Sequence, residues 1–210
     1  MEKLKAKQIV KNWCEILGEL SNDHCYFSTT IIKKLTAGKP FSVAELDEEL
    51  HVPVRRIKKL ISKRPTTHFD KDRCIRSHGG VSATETNIVI KSNEKTFYAN
   101  SAWESLALST ILDVDLTITT KCDKSQEEIE IKVTPQGYET NNDDIMISFL
   151  PPAELTADKM VNIHEWSFFI LGSENGEEWV EQHPDYLLIP LSIAYQSARD
   201  ATEKTYHLDT

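Results

Sequence analysis

The spacing of apolar residues changes character near residue 65. Before that point, apolar residues recur every three or four positions, which is typical of helices that bury one face. Beyond it, short apolar runs are bounded by turn-forming residues, which is typical of strands. The sequence therefore predicts an α+β fold. A helical, helix-turn-helix-like module of residues 1–65 precedes a domain of residues 66–210 that has a mixed, mostly antiparallel sheet with helices.

The first part is expected to contain four helices, over residues 3–20, 26–36, 42–50 and 54–61. Ser42 and Glu45 have the spacing of a capping box at the start of the third helix, and Val52-Pro53 ends that helix. The last two helices are separated by a tight turn, as in a helix-turn-helix pair.

The second helix of this pair carries basic residues on its exposed side, namely Arg55, Arg56, Lys58 and Lys59. Such a helix can contact phosphate groups, or it can be the solvated face of a structural domain. It lacks the Asn and Gln side chains that often read bases, so we do not expect nucleic-acid binding. A transcriptional regulator that senses a ligand through its second domain stays an alternative.

The second part contains several predicted strands and a long final helix. Asp70 and Asp72 favour a turn, so residues 69–75 are expected to form a hairpin. Residues 81–90 and residues 164–171 are each expected to form one strand. Gly79-Gly80 marks a break, and the remaining elements are strands near residues 114–119, 128–133 and 145–150 and a helix over 192–203.

The net charge of −9 is unevenly distributed along the chain. Residues 31–64 hold nine basic and four acidic residues, so the remainder is strongly acidic, which argues against nucleic-acid binding by the whole surface.

No apolar run approaches the roughly 20 residues that cross a bilayer. Four widely spaced cysteines without a CxxC pair predict free thiols. We therefore expect a cytoplasmic protein that does not contact membranes.

One segment, residues 98–106, changes from a strand-like pattern to a helical one and carries the candidate chemistry. Ser101 can cap the helix, because a short side-chain oxygen accepts from the unpaired amides of a first turn. Glu104 follows three positions later, which is the spacing of a reciprocal cap. From the residues alone, a structural cap is therefore one interpretation of this pair.

The same segment, Tyr98-Ala-Asn-Ser-Ala-Trp-Glu-Ser-Leu106, resembles the active-site segment of the alkylmercury (organomercurial) lyases. The pattern in that family is Tyr-Ala-x-Cys-Ala-x-Asp-Thr-Leu. The resemblance extends from about residue 34 to residue 201 and implies the lyase fold. It places the nucleophilic cysteine of the family on Ser101 and the catalytic aspartate on Glu104.

A second part of the resemblance lies near Phe168-Phe169, which matches a Phe-Phe strand of the family. Alignment without gaps places the second mercury-binding cysteine on His164, whereas a shift of one position matches His164 to a histidine of the family pattern. A third family cysteine, which does not hold mercury, falls on Cys122 and is expected to be a small buried side chain.

The family activity is protonolysis of carbon–mercury bonds, in which two thiolates hold mercury and an acid protonates the leaving carbon. A serine hydroxyl is a hard donor that is not ionised near neutral pH, so it cannot replace a thiolate. The resemblance thus implies a lyase-like protein that is inactive or adapted to another metal or small ligand. Ser101, Glu104 and His164 are its candidate catalytic and metal-binding residues, and no cofactor besides a bound metal ion is expected.

Two enzymatic alternatives stay open. In a working lyase, Glu104 donates the proton and Cys74 supplies sulfur, since the flanking Arg73 and Arg76 are expected to lower the pKa of the Cys74 thiol. In a hydrolase, Ser101, His164 and Glu104 form a triad, although a Gly-x-Ser-x-Gly elbow is absent from the sequence.

Overall fold

The computed structural model describes residues 2–17, 21–62, 66–92 and 95–206. Its first part contains the four expected helices, which are α1 (Glu2–Leu17), α2 (Asn22–Leu35), α3 (Val43–Leu50) and α4 (Val54–Ile61). Residues 18–20 of the first predicted helix lie outside the described residues. The capping box of α3 is confirmed, because Glu45 N donates to Ser42 Oγ (3.2 Å) and Ser42 N donates to Glu45 Oε2 (2.7 Å).

The second part forms two sheets whose described strands all pair antiparallel, which confirms the α+β fold. The larger sheet has the order β1-β2-β3-β5-β4-β6-β7-β8, and the smaller one has the order β10-β9-β11. The strands are β1 (His68–Phe69), β2 (Ile75–His78), β3 (Val81–Ser82), β4 (Ile88–Ser92), β5 (Lys95–Ala99), β6 (Leu116–Lys121), β7 (Glu128–Val133), β8 (Tyr138–Thr140), β9 (Ile145–Phe149), β10 (Phe169–Leu171) and β11 (Leu187–Pro190).

Four more helices accompany these strands, namely α5 (Ala102–Leu112), α6 (Ala157–Val161), α7 (Ser173–Gln182) and α8 (Leu191–Tyr206). The alternating strand β7 buries every second side chain, as its sequence predicts. In the described part of the chain, no helix is long and apolar enough to cross a membrane.

Two of the strand predictions are wrong. Residues 81–90 form β3 and β4 with a turn between them, because Ser82 Oγ donates to Thr84 O (2.7 Å) and Thr86 Oγ1 donates to Ala99 O (2.7 Å). Residues 164–171 form a strand only from Phe169 onward. The preceding residues make a short 3-10 helix, Ile163–Glu165, which positions His164 on a turn instead.

Helix α5 lies at the centre of the fold and is buried on all sides of its first nine residues. Every residue from Ala102 to Thr110 is buried, and α5 contacts α2, α8 and strands of the larger sheet. Trp103 connects three elements. Its ring lies 4.1 Å from that of Trp13 in α1 and 5.8 Å from that of Phe149 in β9, and its Nε1 donates to Ser197 Oγ in α8 (3.0 Å). Trp13 is thus a packing residue, as expected.

The helical first part and the sheet share a continuous set of buried apolar side chains, which includes Ile32 of α2, Ile75 of β2 and Leu106 of α5. Helix α1 also packs along α8. Shared burial stabilises both parts together. The division of the chain at residue 65 into two domains stays a prediction.

Leu106→Ala is expected to lower the free energy of unfolding by about 2–5 kcal/mol, because the fully buried side chain leaves a cavity when it is truncated. Leu112→Ala, at the half-buried end of the same helix, is the matched control and should lower the free energy of unfolding clearly less. Urea unfolding followed by circular dichroism measures both losses. Equal losses would contradict the central position of α5.

Candidate functional site

The candidate site lies at the start of α5, where Ser101 is the N-cap residue in an extended conformation. Its hydroxyl makes two hydrogen bonds with the same residue: Oγ accepts from Glu104 N (3.3 Å) and donates to Glu104 Oε2 (3.1 Å). The expected cap is therefore present. The cap differs from the capping box of α3 in one bond. The Glu104 carboxylate accepts from the side-chain hydroxyl of Ser101, whereas the Glu45 carboxylate accepts from the backbone N–H of Ser42.

The other amides at this helix start are bound by a distant residue. Ala102 N donates to Ser167 O and Trp103 N donates to Ser167 Oγ, both at 3.0 Å. A buried helix start requires such partners, because the first amides of a helix have no acceptor within it. Ser167 thus fixes the segment before β10 onto α5. Sequence reasoning missed Ser167, since nothing local to it indicates a partner 64 residues away.

Both members of the pair are buried, with Ser101 1% and Glu104 5% exposed. The backbone of the β2–β3 turn passes directly over Glu104. A Cβ added to Gly80, which has φ +91°, would lie 2.8 Å from Glu104 Cβ. The turn predicted at Gly79-Gly80 therefore has a second role, since only glycine allows this close approach.

A cavity of about 40 Å³ adjoins Glu104 between α1, α5 and α8. The residues with polar side chains that line it are Glu104, Thr66 and three residues of α8, and its apolar lining includes two tryptophans. The side chains that define it are Trp13, Trp103, Glu104, Thr202, Thr205 and Tyr206. The space is large enough for a few water molecules or a ligand of a few atoms.

A chain of hydrogen bonds leads from this cavity to the larger sheet. Tyr206 Oη is hydrogen-bonded to Ser28 Oγ (2.9 Å), which is bonded to His78 Nε2 (2.7 Å), and His78 Nδ1 is bonded to Thr67 Oγ1 (2.7 Å). His78 is buried, so these partners offset the cost of burying its polar nitrogens. The network connects residues up to 178 positions apart, and no sequence signal indicated it.

His164 lies apart from this cavity. It is exposed, and its ring stands edge-on to that of His68 at 6.1 Å. The clefts that it lines also contain Asn100, the residue before Ser101, but neither Ser101 nor Glu104 lines them. The structure thus brings Ser101 and Glu104 together and shows no contact between them and His164. Their common role in catalysis stays a prediction.

The cysteines differ in environment, and none is in a disulfide. Cys122 is buried as expected. Burial raises the pKa of its thiol, but hydrogen bonds, chiefly from Ser125, lower that pKa overall. The lowered pKa expected for Cys74 is wrong. Desolvation and the nearby carboxylate of Asp70 raise the pKa of the Cys74 thiol, because both disfavour a thiolate.

Within the described ranges, no three His, Cys, Asp or Glu side chains are arranged to hold a metal ion. On α4, Arg55, Lys58 and Lys59 are exposed, and Arg56 is paired with Asp23 of α2. That this helix does not bind nucleic acid stays a prediction, and the transcriptional regulator stays an untested alternative.

Comparison with known proteins identifies the family to which this α+β fold and its buried hydroxyl–carboxylate pair belong. The family model described as alkylmercury lyase matches residues 81–203, more than half of the chain. The chain therefore belongs to the alkylmercury lyase family.

Individual relatives are distant. The chain is 21% identical over 170 residues to an alkylmercury lyase of Staphylococcus epidermidis, covering 80% of this chain and 78% of that protein. It is 21% identical over 181 residues to an alkylmercury lyase of Streptomyces lividans, covering 86% of this chain and 83% of that protein. A crystal structure of the mercury-bound form of MerB2 superposes with a TM-score of 0.78 and 19% identity, covering 95% of this chain and 99% of that one. The fold is thus shared.

Gly80→Ala is expected to destabilise the protein by about 1–3 kcal/mol, because it adds a clash with Glu104 to the strain of a positive φ. Gly38→Ala is the matched control, since Gly38 has φ +72° but no atom within 4 Å of the added Cβ. Thermal and urea unfolding measure the difference. A loss for Gly80→Ala no larger than that for Gly38→Ala would contradict the close packing of Glu104 beneath the turn.

Proposed function

We propose that this protein does not cleave carbon–mercury bonds through a pair of thiolates, and that it binds a small polar ligand in the cavity beside Glu104. The observation that carries the proposal is the buried pair in which the Ser101 hydroxyl donates to the Glu104 carboxylate. Matched to the family pattern, Ser101 stands at the position of the nucleophilic cysteine and Glu104 at that of the catalytic aspartate.

The chemistry of this pair is unsuited to mercury. Soft metals are held by thiolates, whereas a serine hydroxyl is hard and keeps its proton near neutral pH. The hydroxyl of Ser101 also uses its proton and one lone pair in bonds to Glu104, which leaves little capacity for another ligand. Glu104 retains a carboxylate, so an acid is present without a soft ligand beside it.

A small ligand suits the geometry better than a metal ion does. A zinc site normally needs three or four protein ligands around one point. His164, the third candidate ligand, is exposed and lines clefts to which Ser101 and Glu104 do not contribute. The cavity beside Glu104 is instead lined by one acidic residue and several hydroxyl-bearing residues, which are of the residue types that form hydrogen bonds with a polar molecule.

The same arrangement disfavours the hydrolase alternative. A serine nucleophile needs a base within hydrogen-bond reach, and the base is usually a histidine held by a carboxylate. Here the hydroxyl of Ser101 is bonded directly to Glu104. A working lyase that draws sulfur from Cys74 is disfavoured too, because its thiol has a raised pKa and lies on the turn between β1 and β2.

The test is to incubate the full-length protein with methylmercury and excess thiol and to measure methane by gas chromatography. We expect no catalytic release of methane, because no thiolate pair holds the metal beside an acid. The Staphylococcus epidermidis alkylmercury lyase serves as the positive control. Intact-protein mass spectrometry reports stoichiometric adducts on cysteines separately from turnover.

Catalytic methane release that is lost in Glu104→Gln would contradict the proposal and show a working lyase. If that release were also lost in Cys74→Ser, sulfur from Cys74 would be part of the mechanism. Cys14→Ser tests a second possible source of sulfur, since Cys14 is another half-buried thiol with a raised pKa and interacts with Thr205 of the cavity lining.

A further inference from the structure

We propose that the cleft lined by His68, Arg76 and His164 binds a small organic oxyanion, a carboxylate or a phosphate ester that carries an apolar body. This cleft shares no described lining residue with the cavity beside Glu104. The inference therefore goes beyond the proposed function and does not depend on it. Three features carry it: a guanidinium without an acidic partner, a basic corner around His68 and an apolar wall.

The cleft has the size of a ligand-binding site. Its volume is about 400 Å³, whereas the cavity beside Glu104 has a volume of about 40 Å³. Clefts that bind small organic molecules usually span about 300–1,000 Å³. Strand β2, the loop between β3 and β4, and the 3-10 segment that carries His164 all contribute to its walls.

Arg76 of β2 supplies a guanidinium that has no acidic partner among the described residues. It is exposed, it lines the cleft, and it takes part in none of the ion pairs that those residues form. A guanidinium presents its N–H donors in a planar fork that matches two oxygens of a carboxylate or a phosphate. Arg76 is therefore suited to bind an oxyanion.

The charged groups that act on His68 are basic. Burial lowers the pKa of the His68 imidazole most, and Arg76 and His164 lower it further because nearby positive charge disfavours a second cation. Glu85 also lines the cleft, but it is exposed and is not among the groups that shift this pKa. The undescribed residues nearest to His68 in the chain, 63–65, are Lys, Arg and Pro and include no acid. The corner around His68 thus favours an anion.

The remaining walls are held in place by backbone hydrogen bonds. Phe168, which has a large apolar side chain, is half-buried and lines the cleft, and its N–H donates to Ser148 Oγ (2.8 Å). Asn100, which also lines the cleft, donates its backbone N–H to Gly80 O (2.9 Å). A ligand can therefore bind Arg76 through its oxygens and pack its apolar body against Phe168.

The experiment titrates the full-length protein with sodium benzoate and with phenyl phosphate and follows the histidine ring signals by NMR. We expect the His68 and His164 signals to shift and saturate, because both residues line the cleft. His183, which stacks on Trp179 and is not among the described lining residues, is the internal control. Benzyl alcohol is the neutral analogue, benzylammonium reverses the charge, inorganic phosphate lacks the apolar body, and sodium chloride controls for ionic strength.

Four variants separate the contributions. Arg76→Gln is expected to weaken binding of both organic probes by about tenfold or more, because charge-assisted hydrogen bonds are lost. Arg73→Gln, which removes an exposed guanidinium from the turn between β1 and β2, is the matched control and should bind as the parent protein does. Glu85→Gln removes the acid of the cleft and should leave binding unchanged or strengthen it. Phe168→Ala should weaken binding of the organic probes but not of inorganic phosphate.

Saturable shifts confined to His68 and His164 that Arg76→Gln weakens and Arg73→Gln does not weaken support the inference, and the tighter of the two probes identifies the oxyanion group. Equal binding of benzyl alcohol or benzylammonium would overturn the role of negative charge. Inorganic phosphate that binds as tightly as the organic probes would overturn the role of the apolar body. Unchanged binding in Arg76→Gln, or weaker binding in Glu85→Gln, would overturn the inference as a whole. The lyase assay tests the proposed function separately, whatever this titration gives.

Discussion

The buried start of α5 is the constraint on which the site depends. A helix that begins in the protein interior cannot rely on water for its first amides, so the chain must bring acceptors to them. Ser101 provides one acceptor from the residue before the helix, and Ser167 provides two from the segment before β10. These bonds fix both segments against α5. The candidate chemistry of the protein is therefore located where the fold has the least freedom.

The same constraint determines what Glu104 can do. Its carboxylate accepts from the Ser101 hydroxyl, and Gly80 packs against its Cβ and backbone, so the residue is held closely beside the cavity. Trp103, one residue earlier in α5, joins α1, β9 and α8 and forms another part of that wall. A closely packed acid beside a small cavity is a suitable arrangement for proton transfer or for ligand binding. The proposed replacement of a thiol by the Ser101 hydroxyl is the reason that we favour ligand binding over bond cleavage.

Local patterns predicted the elements with strong local signals. The four N-terminal helices, the capping box at Ser42 and the strands β6 and β7 follow from spacing and turn residues within ten positions of one another. The Ser101–Glu104 pair was predictable for the same reason. The partners of α5 were not, because Ser167 and the α8 hydroxyls meet it only through tertiary contacts. The strand expected at 164–171 failed because an apolar run gives no sign of the bonds that close a 3-10 turn.

The most direct test of this account is a crystal structure of the protein after soaking with methylmercury. The account predicts mercury only on cysteine sulfurs, with none within bonding distance of Ser101 Oγ or the Glu104 carboxylate. Anomalous scattering locates the metal without reference to turnover. Mercury seated between Ser101 and Glu104 would contradict the claim that replacing a thiol by a hydroxyl removes the family's metal site from this protein.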